Sequence, residues 1–116
     1  MEIKSEHAEG VTVLFVREDR LDANNSEELK IELRHLFDSG TKDLVIDLKE
    51  VLFIDSSGLG VLVSGYKNAS TQHGSLKLSN LQSQVKSMFE LTRLHRVFDI
   101  FTRLMTRCKV TAKSLH

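Results

Sequence analysis

Asp55, Ser56 and Ser57 stand together between two apolar runs, with Gly58 and Gly60 directly after them. A hydroxyl in such a place can cap a helix, carry a phosphoryl group or act as a nucleophile. The run into the turn, Leu44 to Ile54, is rich in Val, Ile, Leu and Phe and too short to span a membrane; it reads as one or two buried strands. The run out of it places Leu59, Leu62, Val63 and Tyr66 at helical spacing. Asp, Ser and Ser are all favoured N-cap types, and here they fall where the helix should begin. A hydroxyl pair is therefore displayed at a strand-to-helix turn, on the positive end of a helix dipole. That end holds an anion, or a phosphate attached to the serine itself.

The elements around this turn follow from periodicity and punctuation. Residues 1–10 carry Ile3 and little else apolar, which allows a short edge strand, and Glu9-Gly10 reads as a turn. Val11 to Val16 is a strand by its β-branched content. Arg17 to Leu21 reads as a charged connection. Asn24, Asn25 and Ser26 offer helix caps, and Glu28 completes a capping-box-like pattern with Asn25. Leu29, Leu33, Leu36 and Phe37 form one buried helix face, and Gly40 ends that helix at the C′ position. Asp43 to Leu48 and Glu50 to Ile54 read as strands. A helix is expected from about Ser57 to Gln72, stopped by Gly74, then a strand over Ser75 to Leu78. Val85, Met88 and Phe89 mark another helix, and Val97 to Phe101 has strand-like alternation. Strands alternating with helices imply an α/β fold with right-handed crossovers.

The string Asp55-Ser56-Ser57-Gly58-Leu59-Gly60 after a hydrophobic strand resembles the signature of bacterial anti-sigma-factor antagonists, the single-domain STAS family. The resemblance runs from about Val11 to Phe101. It implies one STAS-like α/β domain over residues 1–116, a small mixed β-sheet with helices packed mainly on one face. It implies that Ser56, the serine directly after the aspartate, is phosphorylated by a partner kinase. The plain alternative is that Ser56 only caps the helix. Ser57 is the chemically identical competitor for the phosphate. Leu21-Asp22-Ala23-Asn24 resembles the family's loop near the phosphosite. The partner-binding face expected on this basis comprises Asp22, Asn24, Asp55, Ser57, Gly58, Leu59 and Gly60. For Asp22 the plain alternative is a turn and cap; for Gly60 it is a helix start that tolerates glycine. The family often has glycine where Asp19 stands, which puts the local turn geometry in question.

The implied partners are an anti-sigma factor with serine kinase activity, which uses ATP, and a metal-dependent serine phosphatase. Two rival readings are a STAS module in another system, such as a signalling scaffold or a lipid-transport subunit, and a serine hydrolase using Ser56. The hydrolase reading lacks an identifiable base, and Gly-x-Ser-x-Gly is absent. No third glycine makes a dinucleotide loop and no P-loop is present, so no cofactor is expected. His7, His35, His73, His95 and His116 are scattered without metal-ligand spacing.

Composition narrows the rest. The chain has 116 residues, 28% charged, with a formal net charge of +0. Balanced charge argues against nucleic acid or anionic membrane held by bulk electrostatics. No apolar run approaches the roughly 20 residues of a membrane span, and Met1-Glu2-Ile3-Lys4 is unlike a signal peptide. A lone cysteine, Cys108, forms no internal disulfide, so a reducing cytoplasm is expected. Residues 102–116, with Arg103, Arg107, Lys109 and Lys113 and no acid, are an atypical basic helix or tail.

Overall fold

The computed structural model describes residues 1–98 and the backbone of 100–101. The expectations for the basic tail and for Cys108 lie outside the described residues. Among the described residues eleven elements follow one another as β1 Ile3–Ala8, β2 Val11–Val16, β3 Arg20–Leu21, α1 Ser26–Asp38, β4 Asp43–Asp47, β5 Phe53–Ile54, α2 Ser56–Thr71, β6 Ser75–Ser79, α3 Ser83–Leu91, a 3-10 turn Leu94–Arg96 and β7 Ile100–Phe101. The main sheet has the order β1-β2-β4-β6-β7, and β3 pairs with β5 in a separate two-stranded sheet. Only β1 is antiparallel to its neighbour; β2, β4, β6 and β7 are mutually parallel.

The edge strand allowed by residues 1–10 is thus present, and Glu9 (φ 51°) and Gly10 (φ 82°) close the hairpin. Positive φ at both central residues is the type I′ geometry whose twist matches that of paired strands. In the parallel part, Leu14 aligns with Ile46 and Ile46 with Leu78. Strand side chains alternate, so these three share a face. The main core joins that face to Leu29, Leu33 and Phe37 of α1, Leu59, Leu62 and Ala69 of α2, and Val85 and Phe89 of α3. The opposite face holds a separate small cluster of Val11, Val13 and Val45, with Phe15 against it. The three α-helices of the described residues therefore sit on one side, as the mixed-sheet expectation required.

Helix ends set the connections. Gly40 (φ 104°) follows α1, with Gly40 N–H bonded to Phe37 O at 3.1 Å and Thr41 N–H to Leu36 O at 3.0 Å. This is a Schellman stop, with glycine in the left-handed position. After α2 the left-handed residue is His73 (φ 61°), one position before the expected stop at Gly74. Gly74 is needed for another reason: a Cβ there would collide with the backbone carbonyl of Lys42.

Other expectations are corrected in detail. The charged connection Arg17 to Leu21 ends in β3, because Arg20 and Leu21 pair with Phe53 and Ile54. The strand expected from Glu50 reduces to Phe53–Ile54, since Val51 N–H turns back to Leu48 O at 3.1 Å. The strand expected over Val97 to Phe101 is only Ile100–Phe101; Val97 closes the 3-10 turn with helical backbone. Phe98 is buried, edge-on to Phe89 and Tyr66, so packing rather than alternation decides that segment.

Candidate functional site

Two parallel strand stubs, β3 and β5, deliver Asp22 and Asp55 side by side. Asp55 N–H bonds Leu21 O at 3.3 Å, which extends the pairing one residue beyond β5. Asp55 is the N-cap of α2: its Oδ1 accepts from Gly58 N–H at 3.0 Å. Its Oδ2 accepts from Ala23 N–H at 3.2 Å. One carboxylate thus caps the helix and ties it to the loop before α1.

Asp55 being the cap, Ser56 is the first residue of α2 and is exposed. The helix begins one residue earlier than the spacing suggested. The plain alternative for Ser56, helix capping, is removed by this geometry. Among the described residues the Ser56 hydroxyl makes no hydrogen bond. Ser57 is half-buried and turns toward α1. Leu59 N–H closes the first helical bond to Asp55 O at 3.0 Å. The amides of Ser56 and Ser57 are left without protein acceptors among the described residues, so the dipole's positive end is open where the hydroxyls stand.

The Asp22 loop is built from local hydrogen bonds. Asp22 Oδ1 accepts from Asn24 N–H at 3.0 Å, and Oδ2 from Arg20 Nε–H at 3.1 Å. Asp22 is only 8% exposed. The Arg20 guanidinium, more than the backbone donors, holds its carboxyl below the usual aspartate range against the opposing effect of burial. That guanidinium also lies over the Phe53 ring, 4.6 Å from its centroid. Asn25 does not cap α1 with its side chain. Its Oδ1 accepts from Asp22 N–H at 2.9 Å and its Nδ2 donates to Arg20 O at 2.8 Å. Glu28 does not complete a capping box; its carboxylate bonds the Met1 amino group at 2.6 Å. Asp19, where the family often has glycine, keeps negative φ and accepts from Leu52 and Phe53 N–H at 2.8 and 3.2 Å. Nothing in the backbone here calls for glycine.

The two glycines differ. A Cβ on Gly58 would lie 2.5 Å from Leu21 O and 2.7 Å from Ile54 Cγ1; one on Gly60 would meet nothing within 4 Å. Gly58 is what lets α2 start against the β3–β5 pair. Of the residues expected on a partner face, Asn24, Asp55, Ser57 and Gly60 reach the surface with Ser56, whereas Asp22, Gly58 and Leu59 lie beneath it and shape it. Sequence reasoning missed Arg20, Asn25 as a loop clamp, and Gln84 of α3, whose Oε1 accepts from Ile54 N–H at 3.0 Å. The alternation of Arg20 and Asp22 across a short strand carried a signal. Gln84 carried none, being thirty positions from Ile54, whose N–H it accepts.

Among the described residues no group of three or more His, Cys, Asp or Glu side chains could hold a metal ion, and no helix is long and apolar enough to cross a membrane.

Comparison with known proteins agrees with this geometry. The chain is 40% identical over 80 residues to the anti-sigma-B factor antagonist of Bacillus subtilis, covering 69% of this chain and 72% of that protein. The STAS domain protein of Planctomyces limnophilus superposes with a TM-score of 0.85 at 22% identity, covering 96% and 98% of the two chains. SpoIIAA of Bacillus, solved in its phosphorylated form, superposes with a TM-score of 0.72 at 17% identity over 94% and 99%. The STAS domain model matches residues 2–106. With its mixed sheet and this match over nearly its whole length, the chain belongs to the STAS domain family.

Proposed function

We propose that this protein is an anti-sigma-factor antagonist switched by phosphorylation of Ser56. The observation that carries the reading is the division of labour at the α2 start: Asp55 makes the cap, which leaves the exposed Ser56 hydroxyl unbonded. The name of the Bacillus subtilis relative supports the class of activity. In the unphosphorylated state the protein binds an anti-sigma factor that is also a serine kinase, and a sigma factor is released. The kinase then transfers the γ-phosphoryl group of ATP: the Ser56 oxygen bonds to phosphorus, the bond to ADP breaks, and the hydroxyl proton leaves to the kinase. A metal-dependent serine phosphatase hydrolyses the ester and resets the switch.

Release follows from local electrostatics. A phosphate adds roughly −1.5 to −2 charges and three acceptor oxygens. It stands next to the Asp55 carboxylate, whose own lone pairs are already engaged by Gly58 and Ala23. A partner surface fitted to a neutral hydroxyl meets a hydrated dianion instead. A tenfold loss of affinity needs only about 1.4 kcal/mol, within reach of one misplaced interfacial charge. Leu59 and Leu62 beneath the turn are buried, so the core is untouched.

The test is a titration of the purified anti-sigma kinase from the same genome with unmodified, Ser56-phosphorylated, Ser56→Ala and Ser56→Asp protein, alongside thermal melts. Unmodified and alanine forms should bind persistently, the phosphorylated form at least about tenfold more weakly, and the aspartate form in between. Equal binding by phosphorylated and unmodified protein refutes the switch. Phosphate mapped to Ser57 with Ser56 bare refutes the assignment of the site.

A further inference from the structure

The groove between α1 and α2 opens directly beside the phosphoacceptor turn. It encloses ≈ 360 Å³, with Ala23, Ser26, Glu27 and Lys30 on one wall and Ser57, Gly60, Val61 and Ser64 on the other. It continues along the helices past Arg34 and Asn68. Lys30 and Arg34 are one helical turn apart on the same wall. Like charges at that spacing weaken a helix. Among the described residues neither forms an ion pair. Ile31, next to Lys30 on α1, is 58% exposed. An exposed apolar side chain one turn before Arg34, on a helix whose neighbouring groove carries two cations without ion pairs and is lined with hydroxyl groups, has the composition of a contact surface rather than of a solvated helix face.

We propose that the α1–α2 groove, with Lys30 and Arg34 on its wall and Ile31 exposed on α1 one turn before Arg34, docks an acidic segment of the anti-sigma partner. The inference rests on the function proposed above and specifies how the partner is held. Charge complementarity selects the occupant: carboxylates of the segment pair with Lys30 and Arg34, and an apolar residue of it covers Ile31. Glu27, nearer the turn, fixes the direction, because it repels an acid placed at that end. The location also explains how phosphorylation reaches the docked segment. Ser57 lines the groove, so a dianion on Ser56 lies at the groove's end and repels an acidic occupant.

The experiment titrates the purified anti-sigma kinase from the same genome at low and high salt. The ligands are the unmodified protein, its Ser56-phosphorylated form, Lys30→Glu/Arg34→Glu, the milder Lys30→Gln/Arg34→Gln, Ile31→Ala, and Lys86→Glu as a charge reversal on α3 away from the groove. Thermal melts check that each variant is folded. The double reversal should lose about tenfold or more in affinity and most of the salt dependence, the glutamine pair less, and Ile31→Ala a few-fold. Lys86→Glu should bind like the unmodified protein. If the folded double variants bind normally while Ser56 phosphorylation still releases the partner, the groove is not the docking site and the proposed function stands. If Lys86→Glu loses as much as the double reversal, unspecific attraction replaces the groove. If the unmodified protein itself does not bind the kinase, both readings fall.

Discussion

Adding one methyl group at Gly58 and one at Gly60 should move stability in opposite directions. The two positions are two residues apart in the same helix, and their surroundings decide the sign. At Gly58 the new carbon would sit 2.5 Å from Leu21 O, 2.7 Å from Ile54 Cγ1 and 3.0 Å from Leu21 Cγ. The nearest of these atoms is backbone, and it already accepts the Asp55 N–H at 3.3 Å. It cannot retreat without breaking the link between β3 and the α2 cap. Overpacking of this kind costs about 1–3 kcal/mol. At Gly60 nothing lies within 4 Å and the residue is exposed, so alanine gains about 0.5–1 kcal/mol from a stiffer unfolded chain and better helix propensity. With about 5 °C of melting temperature per kcal/mol for a domain near this size, Gly58→Ala should melt about 5–15 °C lower and Gly60→Ala about 2–5 °C higher. Urea titrations with a shared slope would give the free energies directly. Equal stability of Gly58→Ala and the unmodified protein would show that β3 and α2 are not in the close contact described. A loss at Gly60→Ala as large as at Gly58→Ala would show that glycine serves backbone geometry at both positions instead.

Asp55→Ala should cost about 0.5–2 kcal/mol in urea melts, because the Gly58 amide loses its cap acceptor, whereas Ser56→Ala should change stability by only a few tenths; the reverse order would place the cap on the serine. The Asp22 carboxyl is held below the usual aspartate range by Arg20, so its contribution to stability is present above the ordinary pKa of about 3.9 and is lost as pH falls through the lowered folded value. Arg20→Gln removes that cause. The stability gap between the unmodified protein and Arg20→Gln, followed by melts from neutral to strongly acidic pH, should therefore narrow on acidification; a gap independent of pH would rule out the pairing.

Much of the fold was legible in local pattern. The alternation of Val11 to Val16, the spacing of Leu29, Leu33, Leu36 and Phe37, and the positions of Gly10 and Gly40 reflect constraints acting within a few residues: strand pleat, helix period and steric freedom at positive φ. The turn at Asp55 to Gly60 was legible for the same reason, since cap types between a strand and a helix mark a boundary by themselves. What the chain alone left open was which of several chemically equivalent groups takes each role. Asp55, Ser56 and Ser57 can all cap a helix, and the contest is decided by Ala23 N–H, thirty-two residues away in sequence, which the Asp55 carboxylate also binds. Asn25 is a good cap by type, yet its amide is drawn into the Asp22 loop because Arg20 O and Asp22 N–H lie within its reach. Gly58 and Gly60 are identical in sequence terms and separate only when Leu21 O is placed against one of them. The Lys30–Arg34 wall becomes a groove only because α2 lies beside α1. Short-range preference specifies elements and their ends. Competition among equal donors and acceptors is settled by neighbours that are remote in the chain, and only the packed structure brings those neighbours into place.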